Sequence, residues 1–449
     1  MTRSPRAIAR FIPSLVALVV LAGFIALRLA GAWSVYDGLL TLWGIVPFEV
    51  PFLDIDGPLS SMECARLGYD VIAFNPCDLL YRPYNYSPLL LTLDWLPVGG
   101  KDRVWLGLTV DIAFLLSLSV LPPPGSWRET VCRCVAAVST MVVFAVERAN
   151  VDVIIFPLVV AMLFLLCRKL PYRVLGLAIG FLAGAIKYYP FILLGLIVKE
   201  RLRTAVAFGV GLLLAGGLFF RVYADLIERT LQLIPFNTAF IDMFGAKNVL
   251  YGSFELFRER FPVPAQAAEY AVTTVALMVL TVFALLVWIW RHSTIRTALF
   301  RMEELSLLAL MAGSIVLVVC FFFPGQNVGY RGIFLLLLLP GLGALGRDRA
   351  AGVAARVARL SVATIPILMW SEAIRLWLHL VATGNYPPPA FTLMHVLVEP
   401  IDLAAWGMRE IVWWLLIGFL TLLLLGFAVE VAVRRWRDVR ALFRREIFD

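Results

Sequence analysis

Apolar runs long enough to cross a bilayer recur along this chain from end to end, and this constrains its fold more than any other feature. A hydrocarbon core about 30 Å thick asks for about 20 apolar residues per helix. Backbone polar groups at that depth must be satisfied within the element, which leaves helices or a closed barrel. Of the 449 residues, 61% are hydrophobic and only 16% charged. A soluble domain is closer to half apolar and a quarter charged. Runs of this length and continuity specify an all-α polytopic membrane protein.

Hydropathy and loop charge give about twelve candidate spans: 11–31, 103–121, 130–146, 151–167, 172–186, 189–198, 204–222, 268–290, 305–323, 331–346, 357–379 and 408–433. The ten-residue segment 189–198 is too short to cross alone at ~1.5 Å per residue. Pro190 predicts a break between it and 172–186, because proline removes a helix donor. The first run, from Phe11 to Leu27, follows three arginines. It reads as a retained span rather than a cleaved signal peptide, since Arg28 interrupts before the small residues Ala30-Gly31-Ala32.

The net charge of +8 does not point to nucleic acid, because no basic block stands apart from a membrane flank. Most of the 39 lysines and arginines fall on short loops of one side, among them Arg3, Arg6 and Arg10, and in the basic tail 434–449. By the positive-inside rule both termini are cytoplasmic, in a bacterial inner membrane. The longer connections 32–102, 223–267 and 380–407 then lie outside. They carry Trp33, Trp43, Trp95, Phe236, Phe240 and Tyr386 among apolar residues, which predicts short amphipathic helices on the outer face. The whole chain reads as one transmembrane domain, with its chemistry on that face.

The first outer loop is the most informative. Asp54 and Asp56 are carboxylates placed where partial desolvation suits a general base, although two solvated loop acids are the ordinary reading. Ser60-Ser61-Met62-Glu63 reads as a capping box that opens a short helix ending near Gly68. Arg82 stands beside Tyr84 and Tyr86, as a phosphate or sugar binder or as part of an interfacial aromatic belt. Glu147, Arg148, Asn150 and Asp152 crowd six positions between two spans, as a polar site or as a network tying two helices. Lys187 with Tyr189, and Arg331 with Tyr330, put cations at outer helix ends. They can neutralise a lipid-linked phosphate or snorkel to ordinary headgroups. Asp111 and Glu372 are intramembrane carboxylates that either pair with bases or line a cavity. His292, His379 and His395 are scattered, so no metal is implied. Four cysteines read as structural thiols. Cys64 and Cys77 share the first loop, where an oxidising compartment permits a disulfide.

These segments together resemble a known family. "FLDIDGPLSSMECARLGYDV", "NPCDLLYRPYNYSPLLL", "ERANVDVIIFPLV", "AGAIKYYPFILL" and "GQNVGYRGIFLLLLLP" look like the C-fold (GT-C) glycosyltransferases that use polyprenyl-phosphate sugars. The likeness is nearest to the bacterial and mycobacterial membrane α-1,2-mannosyltransferase family. It covers about two thirds of the chain. The resemblance implies a GT-C-like bundle and transfer of a hexose such as mannose to a lipid- or glycan-linked acceptor, with inversion and without a cofactor beyond the donor lipid. It implies an aspartate base that maps best to Asp54. The family's usual tyrosine soon after this position is replaced by Asp56-Gly57-Pro58, so Asp54 and Asp56 both stay candidates. Lys187, Arg331, Arg148, Arg82, Tyr189, Tyr330, Asn150 and Asp152 are the expected donor-binding residues. A flippase of lipid-linked saccharide and a diphosphate-lipid-dependent polymerase or ligase are the competing readings.

Overall fold

The computed structural model describes residues 8–233, 243–260, 263–325, 327–385 and 399–448. Phe236, Phe240, Tyr386, His395, Arg3 and Arg6 lie outside them. Every regular element among the described residues is helical.

The chain begins with α1 (Ile12–Leu29), a short surface helix α2 (Trp33–Leu42) and the first-loop helix α3 (Leu53–Arg66). Then follow α4 (Arg103–Ser117), α5 (Trp127–Ala137), α6 (Thr140–Arg148), α7 (Val151–Leu166) and α8 (Leu170–Ile186). A 3-10 helix, Tyr189–Lys199, leads to α9 (Leu202–Val222), α10 (Ala224–Leu231), α11 (Ala246–Arg260) and α12 (Pro264–Arg291). The last part holds α13 (Glu304–Ile315), α14 (Leu335–Arg347), α15 (Val353–Met369), α16 (Ser371–Thr383) and α17 (Pro400–Phe448).

Seven of these segments are long and apolar enough to cross a membrane, or nine if the bent pairs α5–α6 and α15–α16 each count as one. Twelve separate crossings are not seen by this measure. The reason is local: 151–166, 170–186 and 189–199 are apolar but short. Pro190 ends α8, and the chain continues as a tighter 3-10 helix of 11 residues. At ~2.0 Å rise that segment reaches about 22 Å rather than the ~16 Å of an α-helix.

Burial separates centre from edge. Of the most apolar window, 78% is buried in Glu304–Phe322 and 83% in Gly329–Arg347, against 6% in Leu202–Val222 and 11% in Pro264–Arg291. The last two helices expose Leu213, Leu214, Leu280 and Phe283. Contiguous apolar surface of this extent has no stable place in water and is the lipid-facing side. Close helix contact comes from small residues. Gly176, Gly180 and Gly184 form one stripe on α8, and a Cβ on Gly180 would fall 2.4 Å from the Met162 sulfur on α7. Gly44 allows another close approach: at φ +74 it lies where a Cβ would meet the Ala373 backbone at 2.7 Å.

Candidate catalytic cluster

The first loop folds differently from the capping-box reading. Its helix opens at Leu53, not at Ser60. Ser60 and Ser61 are second-turn residues whose hydroxyls donate to the Gly57 carbonyl, at 3.1 and 2.7 Å. Asn75 holds both hydroxyls from the far side of the loop. Pro58 sits inside the helix without an N–H, so the Asp54 carbonyl loses its i+4 donor. The Tyr86 hydroxyl approaches that carbonyl instead, at 3.5 Å. The end near Gly68 is as expected, with Gly68 at φ +87. Cys64 and Cys77 are joined as a disulfide, which ties the end of α3 to the following loop.

Once α3 starts at Leu53, its two aspartates point to different places, because two residues turn a helix by about 200°. Asp56 is fully buried, with Arg103 Nη1 3.7 Å from its Oδ1. Burial pushes its carboxyl above the usual carboxylate range, against the opposing pull of the Leu79 amide and Arg103. Asp54 is only half buried. Its Oδ2 accepts from Asn150 Nδ2 at 2.6 Å, while Oδ1 takes no hydrogen bond among the described residues.

Asn150 is the hinge of the cluster. It caps α7, its Oδ1 accepting from the Asp152 amide at 3.0 Å. The preceding Ala149 is held left-handed at φ +44, and so is Phe52 just ahead of α3, at φ +58. Each costs about 1 kcal/mol or more for a residue with a Cβ. The Phe52 amide donates to the Glu147 carbonyl at 2.9 Å, so these two strained turns are stitched together.

Asp152, also fully buried, collects the cations. Its Oδ1 accepts from the Tyr189 hydroxyl at 2.8 Å, and its Oδ2 lies 2.9 Å from Lys187 Nζ and 3.6 Å from Arg331 Nε. Lys187 is at the elbow that Pro190 forces after α8. Arg331 is in the 3-10 turn Gly329–Phe334, with Nη1 donating to Asn327. Tyr330 in that turn packs edge-on against Phe144, with the ring centres 5.5 Å apart. Thus Asp54, Asn150, Asp152, Lys187, Tyr189 and Arg331 form one connected group, with Tyr330 beside Arg331 in the same turn.

Two expected members stand apart. The contacts of Arg148 lie elsewhere: its side chain is buried 3.0 Å from Glu147, with the guanidinium 3.6 Å from the centre of the Phe48 ring. It holds the loop at Val46 and Phe48 against α6. Arg82 borders the group but is committed to Asp78 by both carboxylate oxygens and donates to the Leu53 carbonyl at 2.8 Å. It positions the start of α3. Burial disfavours the Asp78 charge, yet Arg82 and nearby amides hold its carboxyl below the usual range. Glu372 pairs with Arg375 and Arg409 in a buried network of α16 and α17. Asp111 is buried in α4 without a hydrogen-bond partner among the described residues.

Tyr86, read from the sequence only as a neighbour of Arg82, contributes directly, and Phe321 was not singled out from the sequence. Tyr86 touches α3 at Asp54, and burial raises its phenol well above the usual range. Phe321 lies in a π-helical segment, Val316–Phe322, and packs against Tyr189 at 4.8 Å and beneath Arg331 at 5.3 Å. Interruptions of this kind recur at functional sites, but no residue pattern in 316–322 announces one.

A half-exposed carboxylate with a free oxygen beside two cations can take a proton from a hydroxyl while an anionic leaving group departs. Comparison with family models, with curated proteins and with solved structures returned no match for this chain.

Proposed function

We propose that this protein is a membrane glycosyltransferase that moves a sugar from a polyprenyl-phosphate donor to a lipid- or glycan-linked acceptor, on the membrane face that carries α3. The connection of Asp54 through Asn150 to the Asp152–Lys187–Arg331 group carries this reading. In one inverting step the acceptor hydroxyl oxygen attacks the anomeric carbon. The bond from that carbon to the phosphate oxygen breaks, and its electron pair leaves with the phosphate. The hydroxyl proton passes to Asp54. Lys187 and Arg331 bind the leaving phosphate, which departs charged and needs cations rather than an acid. Asn150 orients the base, and Tyr189 and Tyr330 line the sugar. Asp54 is the base in preference to Asp56, which is buried against Arg103.

The proposal extends to a hexose such as mannose, a GT-C-like bundle of about twelve crossings and an inner-membrane location with both termini in the cytoplasm. A transporter site is built at helix breaks near the midplane. Here the acids and cations cluster at helix ends, which favours an enzyme at the surface. The test is transfer from a radiolabelled polyprenyl-phosphate hexose by purified protein. Asp54→Asn should lose on the order of 10²–10⁴-fold in rate, the usual worth of a general base. Asp56→Asn should retain most of it. Full activity in Asp54→Asn refutes the assignment.

A further inference from the structure

An apolar groove of about 370 Å³ runs between α1, α2, α4, α5 and α6. Its deep end is walled by Ala17, Leu21, Leu115 and Ala137, and its other end by Arg28, Trp33, Tyr36, Phe52 and Glu147. From Ala17 to Arg28 is eleven residues of one helix, or about 16 Å. That is about half of a hydrocarbon core ~30 Å thick, the depth of a single leaflet. Nothing within the described residues fills it.

The polar end is built for an anion. Arg28 spends one donor on the Glu49 carbonyl, at 2.9 Å, and stacks over Trp33 and Tyr36 at 4.5 and 5.1 Å. A guanidinium has five N–H donors, so most remain for a ligand. Glu147 shares this end, but its ion pair is with Arg148 at 3.0 Å, and Arg28 acts on it only as a weaker charge. Tryptophan and tyrosine at this end mark the headgroup level. A greasy slot one leaflet deep with a cation and aromatic rings at its mouth matches one chain of a phospholipid, with its phosphate at Arg28.

The groove also abuts the cluster. Phe52 and Glu147 wall it and are joined by a backbone hydrogen bond. Asp54 and Asn150 follow on the same two segments, two and three residues further on. The cations suited to a leaving phosphate, Lys187 and Arg331, do not line it. We infer that the groove holds one acyl chain of the acceptor, a phospholipid whose phosphate rests on Arg28 and whose hydroxyl-bearing headgroup reaches Asp54. The acceptor role rests on the transferase reading; the lipid site itself does not.

The test uses the full chain in nanodiscs with phosphatidylglycerol carrying a photoactivatable diazirine on one acyl chain. Crosslinks should concentrate on Phe24, Leu108 and Leu115. Leu108→Trp, at a half-buried wall position, should cut them about tenfold, because excluding two methylenes already costs that much. Arg28→Gln should weaken labelling by phosphatidylglycerol and bring it to the level of a diacylglycerol probe with the same chains, which carries no phosphate. Labelling spread evenly over the lipid-facing helices, or indifferent to Arg28, overturns the site. In the transfer assay Leu108→Trp should raise KM for the acceptor and leave KM for the donor unchanged. A rise in donor KM instead overturns the acceptor assignment. Groove labelling as expected in a protein that transfers no sugar leaves the lipid site standing and removes the transferase reading.

Discussion

Asp152→Asn changes one atom of the cluster and removes the carboxylate that both Lys187 and Arg331 contact. The amide keeps the shape and can still accept from Tyr189. It leaves two cations facing each other across a fully buried position. Breaking a buried ion pair costs about 3–5 kcal/mol. The Lys187 and Arg331 side chains are 18% and 28% exposed, so water offsets part of that. The expected loss is about 2–3 kcal/mol. Adding Lys187→Met to Asp152→Asn removes one stranded cation, and should recover about 1 kcal/mol or more of it. Lys187→Met alone should also destabilise, which closes a double-mutant cycle. Unfolding can be followed with a thiol-reactive dye, using the half-buried Cys132, Cys134, Cys167 and Cys320 as native reporters. If Asp152→Asn is as stable as the parent, or if the double variant is the sum of the two singles, Asp152 is not the counter-charge that assembles the cluster.

Three further outcomes follow from the first loop and its supports. Asp56 has its carboxyl raised by burial, so the folded state prefers it protonated; Asp56→Asn should therefore gain in thermal midpoint as pH rises above the ordinary aspartate range near ~4, and the gain should vanish below it. A gain that instead shrinks toward neutral pH contradicts the burial. Opening the Cys64–Cys77 bond, with its sequence separation of 13 residues, should cost about 2–3 kcal/mol, read as greater protease sensitivity of the loop in Cys77→Ser. Arg148→Gln should lower stability through its lost ring and Glu147 contacts while donor KM stays unchanged; a raised donor KM would return Arg148 to the binding site.

The sequence showed the composition of this protein more readily than its geometry. Apolar runs and basic loops are local properties, so most helices were placed within a few residues. The polar clusters were also visible, because acids and cations at span ends stand out against so greasy a background. What could not be read was direction. Asp54 and Asp56 are equivalent as loop residues, and separate only when α3 starts at Leu53. That start depends on Phe52 adopting a left-handed turn against Glu147, about a hundred residues away. Ser60-Ser61-Met62-Glu63 has the letters of a capping box, but the helix is already two turns old there. The contact of Arg148 with the Phe48 ring could not be read, because that ring lies on another segment.

The amide of Asn150 is anchored at both ends, and this has a consequence for Asp54. Its oxygen is occupied by the Asp152 N–H, so its nitrogen must be the end that faces the carboxylate. The amide cannot be turned over without stranding a helix start. Oδ2 of Asp54 is therefore engaged, and Oδ1 is the oxygen left without a hydrogen bond among the described residues; under the proposed function it is the one that receives the proton. A single side chain thereby selects between two chemically identical atoms, and in the proposed transfer it would set the direction from which a hydroxyl arrives.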